Sequence, residues 1–145
     1  MKNKILTTLI LLSCCIGFAQ KKVTWQDLAQ VKFEKKYFPD FGEYFLYPDF
    51  SSSVKALEGK KISITGYYLD INPQGSVFVL SKGPMSSCFF CGIGGPETAI
   101  ELQFPEKPPF KTDDIITVTG ILQLNSDDVE HFNYILKKSE AKLAK

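Results

Sequence analysis

The sequence predicts a mainly β protein: a small five-stranded OB-like Greek-key barrel with short N-terminal helices. Three observations predict it. From Lys61 onward, apolar residues recur in five strand-like runs separated by turn-rich segments. Two of those runs are long and carry a glycine in the middle, within the matching segments Ile62-Ser63-Ile64-Thr65-Gly66 and Ile116-Thr117-Val118-Thr119-Gly120. Small closed barrels need strands that curl enough to serve both of their sheets, and a mid-strand glycine permits that. Finally, the chain has room for one domain with a proper core. A generic β-sandwich is the competing architecture.

The elements follow in order. Residues 1–19 read as an export signal. Lys2 and Lys4 make a positive start, Ile5 to Phe18 is mostly apolar, and Gly17-Phe18-Ala19 places small residues before a cut at Gln20. The apolar run is too short and wrongly flanked for a stable transmembrane helix. Leu11-Leu12-Ser13-Cys14 is a poor lipoprotein box, which leaves a second processing route: lipidation at Cys14 and a membrane anchor.

Residues 20–59 form an N-terminal helical and aromatic wrap, one structural unit with the barrel of residues 60–145. Thr24-Trp25-Gln26-Asp27 is a capping box, with Val23 placed to staple onto Leu28, so a short helix runs from about Trp25 to Val31. Lys32 to Phe50 is aromatic and irregular, broken by Pro39 and Pro48, with a short strand at Phe45-Leu46-Tyr47. Its aromatic residues are expected to cover the barrel as a second layer of core. A second helix, about Ser52 to Glu58, ends at Gly59.

The first barrel strand, Ile62 to Ile71, switches parity. Ile62 and Ile64 share one face, Leu69 and Ile71 the other, and a bulge at Gly66 would restore a single apolar face. Asn72-Pro73-Gln74-Gly75 is a turn and Val77 to Leu80 a buried strand. Ser81 to Pro96 is a long loop. Ile100, Leu102 and Phe104 alternate with Glu101 and Gln103 in the third strand. Pro105 to Asp113 is a connector with no room for the helix that OB barrels usually carry there, so the Ser52–Glu58 helix is the candidate plug. Ile115 to Leu124 is the fourth strand. Phe132, Tyr134 and Leu136 alternate in the fifth.

Composition narrows the function classes. All 17 basic residues are lysine, and the formal charge is +1 over the 145 residues. Without Lys2 and Lys4 the balance is 15 lysines against 16 acids, a net −1. Nucleic-acid and phosphate sites lean on the planar fork of arginine, so nucleic acid is not the expected partner.

Leu57-Glu58-Gly59-Lys60-Lys61-Ile62, Gly66-Tyr67, Cys88-Phe89-Phe90-Cys91-Gly92, Gly95-Pro96-Glu97 and Asn133-Tyr134-Ile135-Leu136 together resemble an uncharacterised family of exported bacterial proteins. That family is akin to periplasmic domains of unknown function whose genes often lie beside ABC-transporter and metal-uptake genes. The resemblance spans about Trp25 to Glu140. It implies an OB-like fold, a periplasmic location and an accessory or binding role beside an envelope protein such as a transporter component. It implies no particular reaction.

Once the leader is removed, Cys88 and Cys91 are the only cysteines. C-x-x-C-G has three chemical readings. It is half of a zinc knuckle, since two thiolates at that spacing can face one ion. A structural zinc needs four ligands, though. Glu97 could fold back to help. His131, the only histidine, is the other candidate ligand, but OB topology puts its loop at the opposite end from the cysteine loop unless the long loop reaches across. A homodimer sharing four thiolates would also complete the site. The second reading is a disulfide, natural in an oxidising compartment, closing so small a loop that the entropic gain is limited. The third is a thiol–disulfide oxidoreductase, which the helix-opposing run Gly92, Gly94, Gly95 and Pro96 disfavours. A c-type haem is excluded because residue 92 is glycine where the motif needs histidine. A cysteine hydrolase with His131 as base would need partners from opposite barrel ends. The expected role is therefore non-enzymatic: an exported envelope binding or accessory module whose Cys88/Cys91 loop holds zinc or a similar metal, with a metal-free interaction module closed by a Cys88–Cys91 disulfide and a thiol–disulfide oxidoreductase as the alternatives.

The remaining features have simpler readings. His131 falls on the solvent-facing count of the fifth strand. Asp127, Asp128 and Glu130 lack a calcium-loop spacing and read as a solvated turn. Phe89 and Phe90 are either core residues that pin the cysteine loop or an apolar tip for a partner.

Overall fold

Thr24 and Asp27 cap one another in the computed structural model of the chain, which describes residues 20–72, 77–88 and 91–145. Thr24 Oγ1 accepts from the Asp27 backbone N–H at 3.3 Å, and Asp27 Oδ2 accepts from the Thr24 N–H at 2.8 Å. This is the predicted capping box, and it opens α1 (Trp25–Leu28). The Ser51 hydroxyl likewise caps α2 (Ser52–Lys55) through the Val54 N–H. Both helices are shorter than expected, because Ala29 and Ala56 already serve as their C-caps. Leu28, Val54 and Leu57 are buried in the main core, so both helices, not the second alone, pack onto the barrel interior.

The barrel consists of β4 (Lys61–Asn72), β5 (Val77–Ser81), β6 (Ala99–Leu102), β7 (Ile115–Leu124) and β8 (Tyr134–Leu143). Neighbours run β4-β5-β6-β8-β7, and β4 pairs again with β7 to close the sheet. β6 and β8 are parallel and the other barrel pairs antiparallel. This is the strand order of an OB barrel, as expected. A short β1 (Lys21–Lys22) adds in parallel to β4.

The two matching segments lie against each other. Ile62 pairs with Gly120 and Gly66 with Ile116, so each glycine faces the other segment's isoleucine. Gly66 also marks where β4 passes from β7 to β5 as its partner. A Cβ there would lie 2.6 Å from Ser81 O and 2.9 Å from Trp25 Cζ2. The indole rests on that bare backbone, its Nε1 donating to Thr65 O at 2.8 Å.

The parity switch in β4 is real, but its expected remedy is not. β4 is in unbroken register with β7 through Gly66, and the irregularity against β5 falls later, between Asp70 and Asn72. Ile62, Ile64 and Tyr68 enter the barrel core. Leu69 faces outward into a second, smaller cluster with Val79, Cys88 and Ala99, against which Ile71 and Phe132 pack. The long loop after β5 folds back over the outer face of the sheet and supplies Cys88 to this layer. There are thus two apolar layers, which is why both faces of β4 carry large apolar residues.

The segment expected to be irregular is a hairpin. β2 (Val31–Phe38) pairs with β3 (Glu43–Phe50) through eight matched positions, with Phe33 opposite Pro48. Proline lacks an N–H, but both strands of a two-stranded sheet are edges, so Pro48 need not donate. Pro39 sits in the turn, which Gly42 completes at a φ of +67°. Only the base of the hairpin, at Phe50, joins the core. Tyr37, Phe41 and Tyr44 are exposed, contrary to the expected second core layer, and Leu46 beside them is exposed too.

The expected export signal at residues 1–19 and part of the expected Asn72–Gly75 turn lie outside the described residues, as do Phe89 and Phe90. No helix among the described residues is long and apolar enough to cross a membrane.

Candidate functional site

Cys88 and Cys91 meet through their backbones and at one shared carbonyl. The Cys91 N–H donates to Cys88 O at 3.0 Å, and Gly92 follows at a φ of +76°, a conformation that suits glycine. Both thiols then donate to one acceptor, Met85 O, at 3.2 Å from Cys88 Sγ and 3.1 Å from Cys91 Sγ. Their surroundings differ. Cys88 is 2% exposed, and Cys91 is exposed. The Cys91 thiol is pushed above its ordinary range by loss of solvation first and by the adjacent Cys88 second. That is the opposite of an activated thiolate, whose pKa is lowered.

The other candidate ligands are placed elsewhere. The Glu97 carboxylate accepts from the Gly95 N–H at 3.3 Å, within its own turn Pro96–Thr98. His131 Nδ1 lies 2.9 Å from Glu101 Oε2. Among the described residues, no three His, Cys, Asp or Glu side chains form a group that could hold a metal ion. The long loop does reach toward the loop between β7 and β8, but Phe132 makes that approach, packing on the Cys88 cluster.

The Glu101–His131 pair escaped sequence reasoning. Glu101 lies outward on β6 and accepts from His131, from the Phe132 N–H at 3.3 Å and from Gln103 Nε2 at 3.0 Å. Its side chain is 13% exposed and that of His131 46%. The Glu101 hydrogen bond and charge raise the His131 pKa above its ordinary value, and Asp128 and Glu130 add to the effect. Asn125 fixes the rest of this loop. Its Nδ2 donates to the carbonyls of Asp128, His131 and Phe132.

Between that loop and the β2–β3 hairpin lies a groove of about 460 Å³. Phe38, Tyr44, Phe45 and Leu46 form one wall, and Val129 and His131 belong to the other. A second cavity of about 480 Å³ shares Glu130, His131 and Phe132 with it and runs past Glu101 and Phe104. Both volumes fall in the range of ligand sites, roughly 300–1,000 Å³. The exposed hairpin aromatics were the available sequence signal for this groove.

The fold has a known counterpart. The structure resembles the crystal structure of a DUF3299 family protein from Pseudomonas aeruginosa PAO1, with a TM-score of 0.56 and 15% identity over 88% of this chain and 97% of the other. At that identity the likeness concerns the fold alone. No known protein family matches the sequence. No curated protein matches it either.

Proposed function

We propose that this protein is an exported, non-enzymatic binding module of the cell envelope, whose Cys88–Cys91 loop is closed by a disulfide and braces the outer face of the barrel. The observation that carries this reading is the convergence of both thiols on Met85 O, within 3.2 Å. The bond would join two sulfurs that already share one acceptor. Each thiol loses a proton, the two sulfurs together give up two electrons, and a disulfide oxidant of the compartment is reduced to a dithiol. The raised Cys91 pKa supports a bracing role over a catalytic one. The leader pattern and the family resemblance support the envelope location, with a periplasmic partner or a lipid anchor at Cys14 as the means of attachment.

Zinc shared by two copies is the second reading, favoured by the same convergence, since both sulfurs could face one ion. Two ligands fall short of the four a closed site takes, and Cys88, at 2% exposed, is turned into the outer core. Thiol counting and elemental analysis on one sample, exported and purified without chelator, separates the readings. The disulfide reading expects no titratable thiol and no bound metal. Free thiols with one zinc per two chains would replace it with the shared site.

A further inference from the structure

The groove between hairpin and loop has apolar walls and an acidic rim. Asp128 and Glu130 line it, and no lysine lines it among the described residues. Two lysines lie nearby: Lys36, over the Phe38 ring of the groove wall at 5.4 Å, and Lys107, which lines the second cavity, and each has an acidic partner. Lys36 Nζ lies 3.5 Å from Asp127 and 3.9 Å from the centre of the Tyr47 ring, and Lys107 Nζ lies 3.3 Å from Asp70. His131 is turned onto Glu101 through Nδ1. Among the described residues, the Asp128 carboxylate accepts only from the backbone N–H of Glu130, in its own turn.

Tyr44 and Leu46 stand at the groove 69% and 48% exposed. Exposed aromatic and aliphatic side chains beside carboxylates that, among the described residues, form no salt bridge fit a ligand that is both apolar and cationic. A nucleic acid would bring phosphates to the acidic rim and be repelled. Glu130, His131 and Phe132 border both cavities, and the second adds Glu101, Glu106 and Lys107, so a mainly acidic surface extends past the groove over a length that suits an extended chain rather than a compact molecule.

We propose that this groove docks an extended segment of a partner protein, its apolar side chains against Phe38, Tyr44 and Leu46 and its lysine or arginine side chains at Asp128 and Glu130. The proposal rests on the reading of the protein as a binding module. It does not depend on the oxidation state of the cysteines, which the thiol count reports separately.

The probes are two fluorescein-labelled, end-capped nonapeptides, one alternating leucine with lysine and the other leucine with glutamate. The lysine peptide should bind, measured by anisotropy, and should move the backbone NMR signals of residues 44–46 and 128–131. The glutamate peptide should not. The double variant Asp128→Asn/Glu130→Gln should weaken binding about tenfold, and Leu46→Ser should weaken it with the charges intact. All of these positions are exposed or partly exposed, so an unchanged melting temperature will show that each variant folds. Equal binding of the two peptides, signal changes on another face, or undiminished binding by the charge variant would overturn the proposal. Concentration-dependent movement of the same signals without peptide would also overturn it, by making a second copy the occupant.

Discussion

His131 Nδ1 and Glu101 Oε2 meet at 2.9 Å across the parallel junction of β6 and β8, joining the loop before the last strand to the outer face of the barrel. The pair raises the His131 pKa. A histidine whose folded pKa exceeds its unfolded value of about 6.5 adds stability below that value, and the contribution fades as pH rises through the folded pKa. With His131 46% exposed, it is worth less than about 1 kcal/mol. An NMR titration should find His131 above the ordinary histidine value and Glu101→Gln should bring it back down. An unaltered titration in the variant would show that Glu101 does not hold the ring.

Two buried tyrosines should respond oppositely to loss of the hydroxyl. Tyr134 Oη donates to Leu28 O at 2.6 Å and ties α1 to the barrel. Tyr134→Phe removes one partner of a buried hydrogen bond and should cost about 1–3 kcal/mol in urea unfolding. Tyr68 is fully buried, and its hydroxyl has no hydrogen-bond partner among the described residues. Tyr68→Phe should be neutral or stabilising by about 1 kcal/mol. In the native protein, burial and then Asp70 hold the Tyr68 pKa up at about 12. Equal destabilisation by both variants would show that the Tyr68 hydroxyl does have a partner.

Gly66→Ala tests the close approach inside the barrel. Its Cβ would meet Ser81 O at 2.6 Å and Trp25 Cζ2 at 2.9 Å, and neither a paired strand nor a hydrogen-bonded indole yields easily. Overpacking of this kind costs about 1–3 kcal/mol. Tryptophan fluorescence should report displacement of Trp25 in the same variant. Wild-type stability with an unmoved spectrum would contradict the packing described.

What the sequence disclosed depended on the range of the pattern. β7 was legible to the residue, because Ile115 to Leu124 alternates and is bounded by polar turns. The hairpin was hidden by Pro39 and Pro48, which local rules read as breakers. One belongs to a turn, and the other sits where both strands are edges. The switch at Gly66 was visible but misread as a bulge, because one core was assumed where the long loop builds a second against Leu69 and Val79. Glu101 and His131 were separately visible as polar strand and turn residues. Their meeting depends on the parallel β6–β8 pairing, which no local periodicity encodes.

The cysteines should prove unequal once the protein is reduced. Cys88 is packed with Leu69, Val79 and Ala99, so Cys88→Ser places a hydroxyl in an apolar layer, although it could still donate to Met85 O. That should cost about 1–2 kcal/mol. Cys91 is exposed, and Cys91→Ser should stay within about 0.5 kcal/mol of the reduced wild type. Oxidation changes the comparison, because either substitution then also removes the cross-link. A loop closed over residues 88–91 gives at most about 2 kcal/mol by the chain-entropy relation. Urea unfolding with and without reductant should therefore show Cys91→Ser indifferent to reductant and matched to reduced wild type, with Cys88→Ser below both. Identical stability of the two reduced variants would refute the burial asymmetry, while a wild type indifferent to reductant would remove the disulfide brace.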